Sequence, residues 1–224
     1  MDTQATFSAL MLDFGCVISK TMFENMELVE KGLGLDAGTL PWRGPFDLDS
    51  DPLYRDMLAD RITERQYWAT RAAEVSALVG EQWDTRSFYD RACDICGLAW
   101  FRGEFVDLLD DARRAGIRTG ILSNELELFH DPEWIEAVPA LKNIDIIVDA
   151  THTKILKPDP AAYRLGLEAL QAAPEETLFV DDQMRNVRGA EAVGIASLHF
   201  DVRRPADMMR EIRKRLALPL RLPA

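Results

Sequence analysis

Short apolar runs that stop at an acid or a hydroxyl constrain the fold of this chain more than any other feature. The first run, Phe7 to Leu12, is followed by Asp13. Similar runs lie at Arg118 to Leu122, Ile144 to Val148 and Thr177 to Val180. Runs of this length without alternating polar residues are typical of strands buried on both faces, as in a parallel sheet. We therefore predict a buried parallel sheet with polar side chains at the ends of its strands.

Helical patterns alternate with these runs. Glu104 to Ala115 has apolar residues at helical spacing and ends at Gly116, a residue type that commonly stops a helix. Ala161 to Ala172 and Asn186 to Val193 have the same pattern, and Ile195 to His199 is a further predicted strand. This alternation predicts an α/β fold with a doubly wound parallel sheet. Such sheets bind ligands beyond the carboxyl ends of their strands.

The stretch from residue 20 to residue 98 breaks the alternation and is helical in pattern. Its predicted helices are Met22 to Lys31, Pro52 to Asp60, Glu64 to Val79 and Thr85 to Cys96. Thr63 and Gln66 form a predicted capping box at the start of the third helix. We predict a helical cap domain, residues 20–98, inserted after the first strand of an α/β core formed by residues 1–19 and 99–224.

Charge and composition exclude several classes of partner. The formal net charge of −12 argues against nucleic-acid binding, because there is no excess of Lys and Arg to neutralise phosphates. The sequence contains no run of about 18 apolar residues, so we expect no membrane span. No basic region precedes an apolar stretch at the start, so no secretory signal is predicted. The three cysteines, Cys16, Cys93 and Cys96, fit a reduced protein. We expect a cytoplasmic monomer or homodimer with a small anionic substrate.

Three side chains near the predicted strand ends and loops suit nucleophilic chemistry on an anionic group. The carboxylate of Asp13 can attack phosphorus or an activated carbon and form a covalent intermediate. The hydroxyl of Ser123 can hydrogen-bond a transferred phosphoryl group or cap the next helix. The ammonium of Lys157, which precedes Pro158, can neutralise both the nucleophile and the transferred group.

A pair of adjacent acids, Asp181 and Asp182, follows a buried predicted strand. Burying paired like charges is costly without a cation. Mg²⁺ prefers oxygen ligands and usually keeps several waters. We therefore predict a Mg²⁺ ion shared by Asp13 and one acid of this pair.

Together these motifs resemble the haloacid dehalogenase-like hydrolase superfamily, in the subgroup with a helical cap after the first motif. The resemblance implies a Rossmann-like core in which Asp13 is the nucleophile and Ser123 and Lys157 are catalytic. It also implies a set of residues around Mg²⁺. The direct ligands are Asp13, Asp182 and the main-chain carbonyl of Gly15, with Asp181 beside the metal and Asn186 orienting the site.

Substrate binding is predicted at Asn124, the second residue of the Ser-Asn pair, and at Arg43. Arg43 lies in a loop of the predicted cap that contains Gly and Pro, and a guanidinium can bind an anion. Both residues are therefore predicted contacts for a small anionic substrate.

One departure from the family pattern concerns Gly15. Phosphatases of this superfamily usually have an aspartate at that position, as a general acid–base. Without it we expect one of three outcomes: the enzyme favours good leaving groups, it is slow, or it takes a proton from another residue. The candidates for that residue are Arg43, Tyr54, Arg55 and His130. Some sugar-phosphate phosphatases of this subgroup have a similar Asp-x-Gly pattern at this position. A glycine here is also expected where the backbone needs a positive φ.

The prediction from the resemblance is a Mg²⁺-dependent hydrolase of small, sugar-phosphate-like esters that works through an aspartyl-phosphate on Asp13. Two alternatives stay open. One is a hydrolase of the L-2-haloacid dehalogenase type, which breaks a carbon–halogen bond through an aspartyl ester. The other is a catalytically impaired binding protein.

Overall fold

The computed structural model describes residues 7–138 and 141–220. Their contacts divide the chain into two compact units. The first, called the α/β unit, comprises the described residues of Met1–Ser19, Phe101–Glu127 and Pro132–Ala224. The second, called the helical unit, comprises Lys20–Trp100 and Leu128–Asp131.

The predicted core of 99–224 included residues 99–100 and 128–131, which group instead with the helical unit. Residues 128–131 group with this unit because their side chains and main chain pack there. The rings of Phe129 and Tyr89 lie 4.8 Å apart between centroids. Nε of Arg86 donates a hydrogen bond to the carbonyl of Leu128 at 3.3 Å. These contacts place the segment in the helical unit, although its neighbours in the sequence belong to the α/β unit.

The α/β unit contains a sheet of five parallel strands in the order β3-β2-β1-β4-β5. Their bounds are β1 Ala9–Leu12, β2 Arg118–Ser123, β3 Ile146–Asp149, β4 Thr177–Asp181 and β5 Ala196–His199. β1 is central and its residues are fully buried. The predicted doubly wound α/β fold is confirmed, and β2, β3 and β4 each end one residue beyond their predicted ends.

The helices are numbered in chain order. Those of the helical unit are α1 Met26–Gly32, α2 Pro52–Leu58, α3 Glu64–Val79 and α4 Thr85–Cys96. Those that follow are α5 Gly103–Arg114, α6 Leu126–Phe129, α7 Pro132–Ala137, α8 Ala150–Thr153, α9 Pro160–Leu170, α10 Met184–Glu191 and α11 Pro205–Arg215. Within the described ranges no helix is long and apolar enough to cross a membrane.

Local sequence explains how two of these helices begin. The predicted capping box at α3 is confirmed, since Thr63 Oγ1 accepts from the Gln66 N–H and Gln66 Oε1 accepts from the Thr63 N–H. The predicted helix from Met22 is instead a 3₁₀ turn, Met22–Asn25, before α1. A second capping box, between Thr21 and Glu24, closes this tighter turn.

A buried ion pair organises the helical unit. Asp51 is fully buried, accepts from the Tyr67 hydroxyl at 2.6 Å and contacts Nη2 of Arg71 at 2.5 Å. The Arg71 guanidinium lies 4.8 Å from the centre of the Trp42 ring. Burial of a carboxylate is tolerated here because both of its oxygens receive hydrogen bonds.

Candidate active site

Three of the predicted site residues lie at the carboxyl ends of the three central strands. Asp13 follows β1, Ser123 is the last residue of β2 and Asp181 is the last residue of β4. β1 pairs with β2 on one side and with β4 on the other, in parallel. Because parallel neighbours end at the same edge of a sheet, the strands themselves bring these residues to one place.

Lys157 joins two of these carboxylates. Its Nζ lies 2.8 Å from Asp13 Oδ1 and 2.7 Å from Asp181 Oδ2. The Lys157 side chain is almost completely buried. The two carboxylates keep the pKa of the Lys157 ammonium above its ordinary value, although burial acts in the opposite direction. The lysine is therefore charged and neutralises the carboxylates around it.

Asn124 fixes the main chain of Lys157. Its Nδ2 donates to the Lys157 carbonyl at 3.1 Å, and its Oδ1 accepts from the Lys157 N–H at 2.7 Å. The amide is thus used to position the lysine. This contact differs from the predicted role of Asn124 in substrate binding, which stays a prediction.

Asp181 is fully buried and accepts hydrogen bonds at both oxygens. The Gln183 N–H donates to Oδ1 at 2.8 Å, and Nδ2 of Asn186 lies 3.1 Å from each oxygen. The Tyr163 hydroxyl donates to the Asn186 carbonyl at 2.7 Å. These donors, with Lys157, hold the Asp181 carboxylate in one orientation.

Oxygen ligands for a cation converge beside Lys157. One carboxylate oxygen from each of Asp13, Asp181 and Asp182 lies within 4.8 Å of the others. In addition, the buried Oδ1 of Asn186 has no hydrogen-bond partner in the part of the chain that the structure describes. Hard oxygen donors at this density fit a divalent cation such as Mg²⁺.

Burial controls the charge of Asp13. It raises the pKa of this carboxyl from 3.8 to about 7, and the charge of Asp181 adds to the effect while Lys157 opposes it. A positive ion bound beside Asp13 favours the ionised form, which is the form that can act as a nucleophile. The geometry therefore links metal binding to nucleophile activation.

The loop after Asp13 differs from one expectation. Gly15 has φ −62° and ψ 134°, so it does not provide a positive φ. The left-handed residue is the next one, Cys16, with φ 62°. A Cβ built on Gly15 meets no atom within 4 Å. Gly15 therefore leaves open space at the position where the resemblance implies an acid in phosphatases.

Ser123 is buried and its hydroxyl is used locally. Its Oγ accepts from the Glu125 N–H at 3.3 Å. This contact is a local turn, since α6 begins only at Leu126, and it leaves the hydroxyl proton available to a bound group. The roles of Ser123 in capping and in binding a transferred group stay predictions.

Arg43 and His130 belong to the helical unit. Arg43 Nη1 donates to the carbonyls of Leu40 and Trp42, at 2.7 and 3.0 Å, and so supports its own loop. His130 is buried with Nδ1 3.8 Å from the Cys93 sulfur. Burial lowers the pKa of His130 to about 3, so it is neutral at pH 7 and a poor proton donor.

Comparison with known proteins identifies the family. Residues 50–194, more than half of the chain, match the family of haloacid dehalogenase-like hydrolases. The match includes Ser123, Lys157 and the aspartate pair at the end of β4, and it begins after Asp13. The chain belongs to the haloacid dehalogenase-like hydrolase family.

Curated relatives include proteins with different activities. Acyl-CoA dehydrogenase family member 10 of Mus musculus is 30% identical over 114 residues, which are 51% of this chain and 10% of that protein. Phosphatase MT3486 of Mycobacterium tuberculosis is 30% identical, over 42% of this chain and 43% of its own length. Haloacetate dehalogenase H-2 of Moraxella sp. is 35% identical, over 37% of this chain and 36% of its own length. Each match spans less than half of the relative.

Solved structures support the fold. The putative HAD-hydrolase YfnB from Bacillus subtilis, solved with bound magnesium, has a TM-score of 0.67 at 13% identity, covering 95% of this chain and all of that one. A HAD phosphatase from Thermococcus onnurineus has a TM-score of 0.57 at 17% identity, covering 92% of this chain and 96% of that one. At these identities the similarity concerns the fold.

Proposed function

We propose that this chain is a Mg²⁺-dependent hydrolase of small phosphate esters that acts through an aspartyl-phosphate on Asp13. Two observations together carry the proposal: the carboxylates of Asp13, Asp181 and Asp182 converge, and the Lys157 ammonium pairs with the first two. When all four groups are ionised, their formal charge is −2. A divalent cation balances this charge, and a phosphoryl group can then approach.

The residues of the chain divide the chemistry between them. The Asp13 carboxylate attacks phosphorus, the bond between phosphorus and the ester oxygen breaks, and the leaving group departs as an oxyanion that takes its proton from water. Lys157 and the Ser123 hydroxyl stabilise the charge on the transferred group. Bound Mg²⁺ supplies further neutralisation of that charge. Water then attacks phosphorus, which releases phosphate and restores Asp13.

Gly15 restricts the class of ester. It carries no acid that could protonate the leaving oxygen, and general acid–base catalysis contributes about 10²–10⁴-fold in typical enzymes. Esters whose leaving groups are already stable as anions, or nearly so, depend least on that help. Aryl phosphates and anomeric sugar phosphates are therefore the favoured substrates, ahead of simple alkyl phosphates.

Hydrolysis of 2-haloacids is the second candidate, because a halide leaves without a proton and Gly15 would not hinder that reaction. The similarity to haloacetate dehalogenase H-2 also favours it. The third carboxylate, Asp182, argues against it, since a negative group beside an anionic halocarboxylate weakens binding. Phosphate-ester hydrolysis therefore accounts for more of the site.

A substrate screen tests this proposal. p-Nitrophenyl phosphate, an anomeric sugar phosphate and 2-haloacids are offered with Mg²⁺ and with EDTA. We expect phosphate release that requires Mg²⁺. Asp182→Asn should lose both Mg²⁺ binding and phosphate release. Asp207→Asn, a half-buried aspartate of α11, is the matched control and keeps both. Halide release that persists in EDTA would refute the proposal.

Isotope labelling distinguishes the two covalent routes. In a single turnover in ¹⁸O water, an aspartyl-phosphate is cleaved at phosphorus and the label enters phosphate. An aspartyl ester of a haloacid is cleaved at the Asp13 carbonyl, and the label enters that carboxylate. Activity retained in Asp13→Asn would contradict both routes.

A further inference from the structure

The turn that follows Asp13 contains a residue in an unfavourable conformation. Cys16 has φ 62° and ψ −13°, in the left-handed region. A residue with a Cβ is disfavoured in this region, and it keeps such a conformation only where surrounding contacts hold it. The contacts of Cys16 therefore show what the protein holds in place.

Ser19 and Arg102 bind the main chain of Cys16 from its two sides. The Cys16 N–H donates to Ser19 Oγ at 3.2 Å. Nη2 of Arg102 donates to the Cys16 carbonyl at 3.1 Å. The main chain completes the arrangement, since the Ser19 N–H donates to the Phe14 carbonyl and the Arg102 N–H donates to the Ile18 carbonyl.

Both side chains are themselves held in place. Ser19 is 4% exposed and Arg102 is 3% exposed. The Arg102 guanidinium lies 5.3 Å from the centre of the Phe200 ring, which favours one orientation of its plane. Ser19 and Phe101 also form an isolated antiparallel bridge. The hydrogen bonds to Cys16 thus come from residues with little freedom to move.

The hydroxyl of Ser19 also determines the direction of the Gly15 carbonyl. That carbonyl and the Cys16 N–H belong to one planar trans peptide unit, in which they point in opposite directions. When Ser19 accepts from the N–H, the carbonyl must point away from Ser19. The Gly15 carbonyl is a predicted metal ligand, so its direction matters for the metal.

We infer that Ser19 and Arg102 are positioning residues that hold the Gly15 carbonyl in the direction needed to bind Mg²⁺. This inference rests on the proposed function. The two residues act through the main chain at Cys16. Ser19 fixes the peptide unit before Cys16, and Arg102 fixes the one after it.

Mg²⁺ titration of the metal-free full chain by calorimetry tests the inference. Ser19→Ala and Arg102→Met each raise the Kd for Mg²⁺ by about 10-fold, as is typical when a residue that orients a ligand is lost. Ser19→Thr keeps the hydroxyl and stays near the wild-type affinity.

Matched controls remove similar bonds elsewhere in the α/β unit. Ser197 donates to the Ile195 carbonyl at 3.1 Å, and Arg215 donates to the Ser197 carbonyl at 2.9 Å. Ser197→Ala and Arg215→Met keep the wild-type affinity for Mg²⁺. Loss of affinity in these controls equal to that in Ser19→Ala would overturn the inference.

A glycine at position 16 tests the mechanism. Glycine adopts a positive φ readily, so the turn depends less on its hydrogen bonds. In a double-mutant cycle, Ser19→Ala therefore lowers Mg²⁺ affinity less in the Cys16→Gly background than in the wild type. An equal loss in both backgrounds would overturn a role through the turn.

The outcomes separate this inference from the proposed function. Wild-type protein that binds no Mg²⁺ would refute both. Wild-type protein that binds Mg²⁺ and hydrolyses phosphate esters, with unchanged affinity in Ser19→Ala and Arg102→Met, would refute the inference alone. Circular dichroism checks the fold of each variant. If Arg102→Met does not fold, Ser19→Ala and its Thr counterpart decide the question.

Discussion

Replacing Asp13 with Asn should abolish turnover and remove a loss of stability that the metal-free wild type undergoes between pH 5 and pH 8. In the folded protein, burial raises the pKa of Asp13 from its ordinary value of 3.8 to about 7. The charge of Asp181 adds to this shift and Lys157 opposes it. The folded state therefore binds this proton more tightly than the unfolded chain. The resulting stability is fully present below pH 4 and is lost as the pH rises to about 7.

The pKa shift gives the size of the effect. A displacement of about three units, at 1.36 kcal/mol each, corresponds to about 4 kcal/mol lost between pH 4 and pH 7. About 3 kcal/mol of this loss falls above pH 5. This is a large fraction of the 5–15 kcal/mol that is typical of a folded domain. Asn cannot ionise, so the variant lacks this pH dependence.

Urea unfolding of wild type and Asp13→Asn in EDTA, at pH 5 and pH 8, measures the difference in unfolding free energy. We expect the variant to gain about 3 kcal/mol relative to wild type between the two pH values. Asp149→Asn, at another buried aspartate of the α/β unit, is the control. A constant difference between wild type and Asp13→Asn would refute the reasoning, as would the same gain in Asp149→Asn.

Three further predictions concern single substitutions. Lys157→Met leaves the carboxylate of Asp13 without its ammonium partner, so the unfolding free energy at pH 8 in EDTA should fall by about 3–5 kcal/mol, measured in urea. Gly15→Asp has room for its Cβ at an ordinary φ. It should raise the ratio of alkyl to aryl phosphate turnover by up to about 10²-fold, and an unchanged ratio would contradict a missing acid. Asp51→Ala leaves the buried Arg71 guanidinium without this carboxylate and should lower the unfolding free energy by about 3–5 kcal/mol, whereas the exposed Leu58→Ala should change it little.

Much of the α/β unit could be predicted because its information is local. The apolar runs of β1, β2 and β4 are continuous, and a polar residue marks each end. The helix stops at Gly116 and Gly194 coincide with positive φ values, as a left-handed cap requires. Convergence of the acids at one edge then follows from parallel strands alone.

The remaining features depend on contacts between distant residues, which periodicity does not encode. Asn124 binds a main chain 33 residues away, and Arg102 binds one 86 residues away. The predicted positive φ at Gly15 is wrong. The positive φ lies at Cys16, and cysteine is a residue type that gives no signal for it. Ser19 lies six residues after Asp13, but serine is common in turns, so its position alone indicates no role.

The place of the helical unit in the connection between β1 and β2 has a thermodynamic consequence. The ends of this connection are fixed side by side, because Leu12 is the register partner of Ile121. Closing a chain segment costs entropy that grows only logarithmically, by about 0.6 kcal/mol for each doubling of a flexible loop. An insertion that forms its own core therefore adds little to the cost of joining these strands. Insertions of very different length could occupy this point of the chain while the strand register that gathers the acids stays the same.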